Sequence, residues 1–110
     1  MPRPDALYDR ASRPILVPSL VRRVTHLVIR GMVQGVSFRA WTVAEAERRG
    51  VDGWVRNRAD GSVEAVVAGD ARAVDEIVAA CRQGPRHAIV TDLIELETDE
   101  DPGPGFRITR

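Results

Sequence analysis

The chain of 110 residues contains no lysine, a single cysteine and few aromatic side chains. Without lysine, the chain has neither a Schiff-base nucleophile nor the lysine of a Walker-type phosphate loop. The lone Cys81 excludes an internal disulfide and a cysteine-based metal cluster. A chain without disulfides suits a reducing compartment, so we expect a cytoplasmic protein.

Long apolar runs and an excess of charge are absent as well. The apolar run over residues 14–21 is interrupted by Pro18 and followed by two arginines, so we expect neither a membrane span nor a secretory signal. The formal net charge is zero and aromatic residues make up 5% of the chain. A nucleic-acid-binding module needs a basic face and exposed aromatic rings. We therefore expect no nucleic-acid partner and no membrane partner.

Residues 1–23 differ in composition from the rest of the chain. They hold four of the seven prolines, and their charged residues are five arginines and two aspartates, Asp5 and Asp9. We predict a disordered N-terminal extension over residues 1–23 and one folded domain over residues 24–110. A basic arm for a partner and a natural translation start near Val21 are the alternatives.

From Val24 onward, the residue pattern predicts alternating strands and helices. Helices are expected over residues 38–49 and from the capping residue Asp70 to Gly84. Segments rich in β-branched residues predict strands over residues 24–31, 53–58, 62–68, 89–98 and 106–109. The order β-α-β-β-α-β with a short extra C-terminal strand predicts an α+β, ferredoxin-like sandwich. In this fold both helices lie on one face of an antiparallel sheet.

The segment Gly31–Arg39 joins the first strand to the first helix. Its two glycines allow a tight turn and a close approach to a ligand, and a helix start offers free N–H groups. Arg39 in the first turn opposes the helix dipole by roughly 0.3–1 kcal/mol, a penalty that a bound anion would reverse. The segment therefore indicates an anion site, above all for phosphate, although glycines before helices are also common in purely structural loops.

Asn57 ends the strand that follows the first helix, just before the turn residues Ala59, Asp60 and Gly61. Its amide could satisfy backbone groups of that turn, as asparagine often does. The alternative is that it holds a water molecule or an oxyanion at the rim of the sheet. Periodicity alone does not place Asn57 beside the Gly31–Arg39 segment.

Taken together, these two segments resemble the acylphosphatase family. Residues 33–39 match its V-Q-G-V-x-F-R signature, and residues 53–64 match its G-x-V-x-N…D-G-x-V-E signature. The pair Gly84-Pro85 and the closing Phe106-Arg107-Ile108 are similar too, so the resemblance covers about residues 24–110. Ser37 occupies the variable position of the loop, where glycine or a larger residue is more usual.

The resemblance implies an enzyme that hydrolyses small acyl phosphates to a carboxylate and inorganic phosphate, without a metal or an organic cofactor. It implies that Arg39 binds the phosphate and that Asn57 positions the attacking water. The backbone amides of the loop would form the phosphate cradle: Val33, Gln34, Gly35, Val36, Ser37 and Phe38. We expect a monomer whose partner is its small-molecule substrate. The alternative is a non-catalytic ferredoxin-like domain that binds an anion or regulates.

The other reactive side chains indicate no second site. His26 and His87 are far apart in sequence and have no cysteine or carboxylate at ligand spacing, so we expect no metal site. Cys81 continues the apolar stripe of the second helix and is predicted to lie in the core. The acidic residues between positions 95 and 101 are interpreted as solvated surface rather than a calcium site.

Overall fold

Seven secondary-structure elements follow one another in the order that the sequence predicts. The computed structural model describes residues 22–110. Its elements are β1 (Arg22–Met32), α1 (Phe38–Arg49), β2 (Asp52–Asn57), β3 (Val63–Asp70), α2 (Ala71–Gln83), β4 (Ile89–Leu96) and β5 (Phe106–Ile108). The two helices contact each other and pack on the sheet, which confirms the predicted ferredoxin-like arrangement.

The strands form one sheet in the order β4-β1-β3-β2-β5. The pairs β1–β3, β1–β4 and β2–β3 are antiparallel, as predicted. The terminal strand differs, because β5 pairs parallel with β2 and makes the whole sheet mixed. The chain leaves β4 at one edge of the sheet, and residues 97–105 carry it across to the opposite edge, where β5 runs alongside β2.

β1 begins two residues earlier than the sequence predicts. Arg22 donates hydrogen bonds of 3.0 Å to both carboxylate oxygens of Asp101. Arg23 pairs with Asp75 of α2 and, at 3.1 Å, with Glu95 of β4. Residues 22 and 23 therefore belong to β1, and ion pairs connect them to α2, to β4 and to the segment that follows β4. The rest of the predicted extension, with the alternative start near Val21, lies outside the described residues.

The core lies between the helices and one face of the sheet. Alternate residues of β3 point into it, and the α2 stripe that the sequence predicts packs against them. Cys81 belongs to this stripe and is fully buried. Desolvation in this apolar setting raises the pKa of the Cys81 thiol to about 12. The fully buried residues of β3 and α2 in this core are Val63, Ala65, Val67, Val74, Ile77 and Cys81.

We expect the Cys81 thiol to resist alkylation in the native protein. Burial and the raised pKa leave little accessible thiolate, so iodoacetamide should react at least about a thousandfold more slowly than with a free thiol. Mass spectrometry after timed labelling measures the rate, and the protein unfolded in guanidinium is the control that should label fully. Rapid labelling of the native protein would place Cys81 outside the core.

The opposite face of the sheet buries a carboxylate. The Glu64 side chain is 9% exposed and accepts a 2.5 Å hydrogen bond from Arg56 Nε. His26 Nε2 lies 2.6 Å from the other Glu64 oxygen. His26, for which the sequence indicated no partner, therefore pairs with a residue of the neighbouring strand β3. The Arg56 guanidinium lies over the Trp54 ring, and Trp54 Nε1 donates to Glu100 at 2.7 Å. Burial alone would raise the pKa of Glu64, but the hydrogen bonds from Arg56 and His26 outweigh burial and lower it.

We expect Glu64→Gln to destabilise the protein near neutral pH, by an amount that shrinks as the pH falls. Because the folded-state pKa is lowered, the carboxylate contributes fully above its ordinary value of 4.5 and loses its contribution as the pH falls through the folded value. At lower pH the wild-type carboxyl is also neutral, so the two proteins should converge.

Urea unfolding between about pH 7 and about pH 3 measures this difference. Glu97 is exposed and is the matched control, because Glu97→Gln should change the free energy of unfolding by less than about 0.5 kcal/mol. A Glu64→Gln effect that stays constant over this pH range would refute the electrostatic account of this face.

Candidate functional site

A cavity of about 350 Å³ opens at the end of the sheet where β1 and β2 terminate and α1 begins. It brings Arg39 and Asn57 together, although they lie on different elements. Eight residues line it: Val33, Gly35, Ser37, Phe38, Arg39, Ala40, Asn57 and Ile108. The arrangement follows from the fold, because β1 and β2 both run antiparallel to β3 and therefore end at the same edge.

Apolar side chains anchor the loop between β1 and α1. Val33 and Phe38 are each 1% exposed, and Val36 packs against the core between them. The Phe38 ring meets Trp41 edge to face at 5.4 Å, and Thr42 Oγ1 donates a 2.8 Å hydrogen bond to the Phe38 carbonyl. Both ends of the loop are therefore fixed by burial, while its glycine and serine positions line the cavity.

The two glycines of the Gly31–Arg39 segment have different functions. At Gly31 the β1–β4 register shifts, φ is 130°, and a Cβ would lie 2.0 Å from the Ile89 carbonyl oxygen. This glycine permits the close approach of β1 and β4, and it does not line the cavity. At Gly35, φ is 75° and the space beside the backbone is open, so this glycine supplies the turn of the loop itself.

Ser37 is the N-cap residue of α1 in an unusual conformation. Its φ of 63° and ψ of 23° are left-handed, which among the described residues occurs at no other non-glycine position. That conformation costs a residue with a Cβ roughly 1–2 kcal/mol. The Ser37 carbonyl accepts the first helical hydrogen bond from Trp41 at 3.0 Å, but its hydroxyl makes no capping bond. The conformation gives a physical reason for glycine at this variable position.

Residues of the loop and of the first turn of α1 line the cavity, and their backbone N–H groups are potential donors to a ligand. Within residues 22–110, no N–H group from Gln34 to Ala40 donates to a backbone or side-chain acceptor. The first turn of α1 holds no acidic residue. The half-buried Arg39 has no ion-pair partner in the described part of the chain. Free donors, a helix N-terminus and an unpaired guanidinium therefore share one place, which favours an anion.

Asn57 faces this donor set from the end of β2, where it pairs with Val63 of β3. Its Oδ1 atom is buried and, among the described residues, is the buried side-chain oxygen or nitrogen that lacks a hydrogen-bond partner. A buried carbonyl oxygen without a partner is costly unless something donates to it. Asn57 therefore places an acceptor without a partner among the described residues beside the donors of the loop.

The lining contains few groups that can react. It has no carboxylate, imidazole or thiol, and the Ser37 hydroxyl has no base beside it among the lining residues. In the described residues, no three histidine, cysteine or acidic side chains are grouped to hold a metal ion. Across that same part of the chain, no helix is long and apolar enough to cross a membrane.

Two contributors to the site were missed from the sequence. Ile108 lines the cavity because β5 joins the sheet beside β2, and the exposed position of a short terminal strand gives no signal of this. The Gln34 side chain was passed over because only its backbone amide was considered. Its amide nitrogen donates 2.8 Å hydrogen bonds to the carbonyls of Arg58 and Ser62.

Comparison with known proteins agrees with this geometry. The acylphosphatase family model matches residues 25–108. An acylphosphatase from Acidiphilium cryptum (strain JF-5) is 56% identical over 81 residues, which cover 74% of this chain and 89% of that protein. The crystal structure of acylphosphatase from Bacillus subtilis is 34% identical, with a TM-score of 0.75 over 82% of this chain and 100% of the other.

A second solved structure, of an acylphosphatase from Coxiella burnetii, is 30% identical and has a TM-score of 0.76. It covers 80% of this chain and 93% of its own. The residues that the family model matches include every residue that lines the cavity, Arg39 and Asn57 among them. The chain therefore belongs to the acylphosphatase family of hydrolases.

Proposed function

We propose that this protein hydrolyses the carboxyl–phosphate bond of small acyl phosphates in the cavity between α1 and β2. Membership of the family supports acyl phosphate hydrolysis in general. One observation supports the residue roles. Backbone donors, Arg39 and an Asn57 Oδ1 that has no partner among the described residues all lie at one cavity.

The phosphoryl group binds to the loop and to Arg39. The planar guanidinium donates to two phosphoryl oxygens at once, which a lysine ammonium cannot do in the same geometry. The backbone amides of residues 33–38 add donors that are oriented before the substrate arrives. Single fixed donors of this kind are often worth about 2.7–4 kcal/mol to a transition state.

Asn57 orients the attacking water. Its buried Oδ1 accepts a hydrogen bond from the water, whose oxygen then attacks phosphorus from the side opposite the acyl oxygen. The phosphorus–oxygen bond to the acyl group breaks, and its electron pair leaves on the carboxylate. The proton of the water passes to a phosphoryl oxygen, because the cavity lining offers no side-chain base.

The substrate needs little further assistance. A carboxylate is a weak base and a good leaving group, so no general acid has to protonate it. Positioning and charge stabilisation are then sufficient, and no covalent enzyme intermediate is required. This economy accounts for a site with one charged side chain and one amide.

The cytoplasmic location and the monomeric state expected from the sequence belong to the same proposal. The single cysteine is buried in the core, where it supports folding rather than cross-linking.

Phosphate release from benzoyl phosphate or acetyl phosphate tests the activity directly. A domain that only binds anions would bind inorganic phosphate and release none from these substrates.

We expect Arg39→Ala to abolish hydrolysis of acetyl phosphate. Arg39→Lys should keep the charge but lose the two-point contact, and should lower kcat/KM by about a hundredfold or more. Arg72 is the matched control, because it is the second residue of α2 as Arg39 is of α1, and it does not line the cavity. If Arg72→Ala and Arg39→Ala had equal activities, the assigned role of Arg39 would be wrong.

We expect Asn57→Ala to reduce turnover far more than phosphate affinity. The phosphoryl group contacts the loop rather than Asn57, so the inhibition constant of inorganic phosphate should change by less than about threefold. Loss of the positioned water should lower kcat by about a hundredfold or more. Steady-state kinetics with phosphate as inhibitor measures both numbers. Wild-type turnover in this variant would remove the water-positioning role.

A further inference from the structure

The Gln34 side chain connects the phosphate loop to the β2–β3 turn. Its Nε2 atom donates one hydrogen bond of 2.8 Å to the Arg58 carbonyl and one of 2.8 Å to the Ser62 carbonyl. Both amide hydrogens are thereby used. Since Gln34 lies between the buried Val33 and the cavity residue Gly35, this bridge begins inside the loop that would bind the phosphoryl group.

The turn that receives the bridge is itself closed by hydrogen bonds. The Arg58 N–H donates to the Ser62 carbonyl at 2.9 Å, and the Gly61 N–H donates to the Arg58 carbonyl at 3.2 Å. Asp60 Oδ1 accepts from both the N–H and the hydroxyl of Ser62, at 2.9 and 2.6 Å. These bonds connect the residues of the turn to one another, so a contact to its two carbonyls constrains the turn beyond Arg58 and Ser62.

Asn57 depends on that turn for its position. It directly precedes Arg58, and its buried Oδ1 has no hydrogen-bond partner among the described residues to hold the side chain. The position of the Asn57 amide is then set by the backbone on either side, which is the β2–β3 pairing and the turn. A shift of the turn relative to the loop would move Asn57 relative to the bound phosphoryl group.

We propose that Gln34 is a positioning residue that sets the distance between the phosphate loop and Asn57 through its bonds to the carbonyls of Arg58 and Ser62. The inference rests on the proposed function for the roles of the loop and of Asn57. Gln34 acts through other residues, because its side chain does not line the cavity and its donors are already bonded.

Gln34→Met tests the bridge, because methionine has a similar length and no donor. We expect kcat for benzoyl phosphate to fall by about tenfold or more, since even about 1 Å of misplacement is costly to catalysis. The inhibition constant of inorganic phosphate should stay within about twofold, because the loop amides remain. Gln83, the last residue of α2 and exposed, is the matched control, and Gln83→Met should leave both values unchanged.

A double-mutant cycle separates positioning from general damage to the fold. If Gln34 acts through Asn57, Gln34→Met should have little further effect on kcat in an Asn57→Ala background, within about twofold. In an Arg39→Lys background it should keep its full effect. An equal loss of kcat in all three backgrounds, or no loss in the wild type, would overturn the proposal. Gln34→Glu repeats the test with an isosteric side chain if the methionine variant folds poorly.

A spectroscopic measurement makes the result independent of activity. The chain has a single asparagine, so ¹⁵N-asparagine labelling reports only Asn57. We expect the Asn57 side-chain amide signals to shift or broaden in Gln34→Met and to stay unchanged in Gln83→Met. Unchanged signals in Gln34→Met would overturn the positioning role. If the signals change while the wild type releases no phosphate from acyl phosphates, the proposed function fails and the structural link stands.

Discussion

The candidate site depends on backbone N–H groups that the fold leaves without acceptors. Between Gln34 and Ala40 the chain is neither strand nor the interior of a helix, so no backbone carbonyl within residues 22–110 accepts a hydrogen bond from these donors. A helix start leaves its first N–H groups without intrahelical acceptors, and a group of such free donors is a place for an anion. Arg39 adds a charge that is unfavourable there until an anion binds. Catalysis of phosphoryl transfer needs little more than this.

The rest of the domain holds those donors in one geometry. Val33 and Phe38 fix the two ends of the loop in the core. Just before the loop, Gly31 allows β1 to approach β4 closely. The parallel β2–β5 pair closes the cavity with Ile108. On the opposite face of the sheet, the buried Glu64 carboxylate of β3 bonds to His26 of β1 and Arg56 of β2, which connects the three strands. The site is therefore a product of ordinary packing, with strain concentrated at Ser37.

Much of this was predictable from local pattern, and the misses have physical causes. The predicted bounds of α1 match the structure, because the signals for them are local. Residues 38–49 have a helix-forming composition, and a glycine follows at position 50, where the structure has the αL C-cap. Arg39 was flagged by its conflict with the helix dipole. The meeting of Asn57 with the loop, the partner of His26 and the parallel pairing of β5 were not visible, because each depends on contacts between distant segments. The Gln34 bridge was missed for the same reason.

Titration of the ¹⁵N-labelled protein with inorganic phosphate tests the central claim most directly. If the unpaired donors form a phosphate cradle, we expect saturable shifts of the backbone amides from Gln34 to Ala40 and of the Arg39 side chain. The N-terminus of α2, which also carries an arginine at its second position, should stay unperturbed. Shifts of equal size at the two helix starts, or none in the loop, would contradict the account.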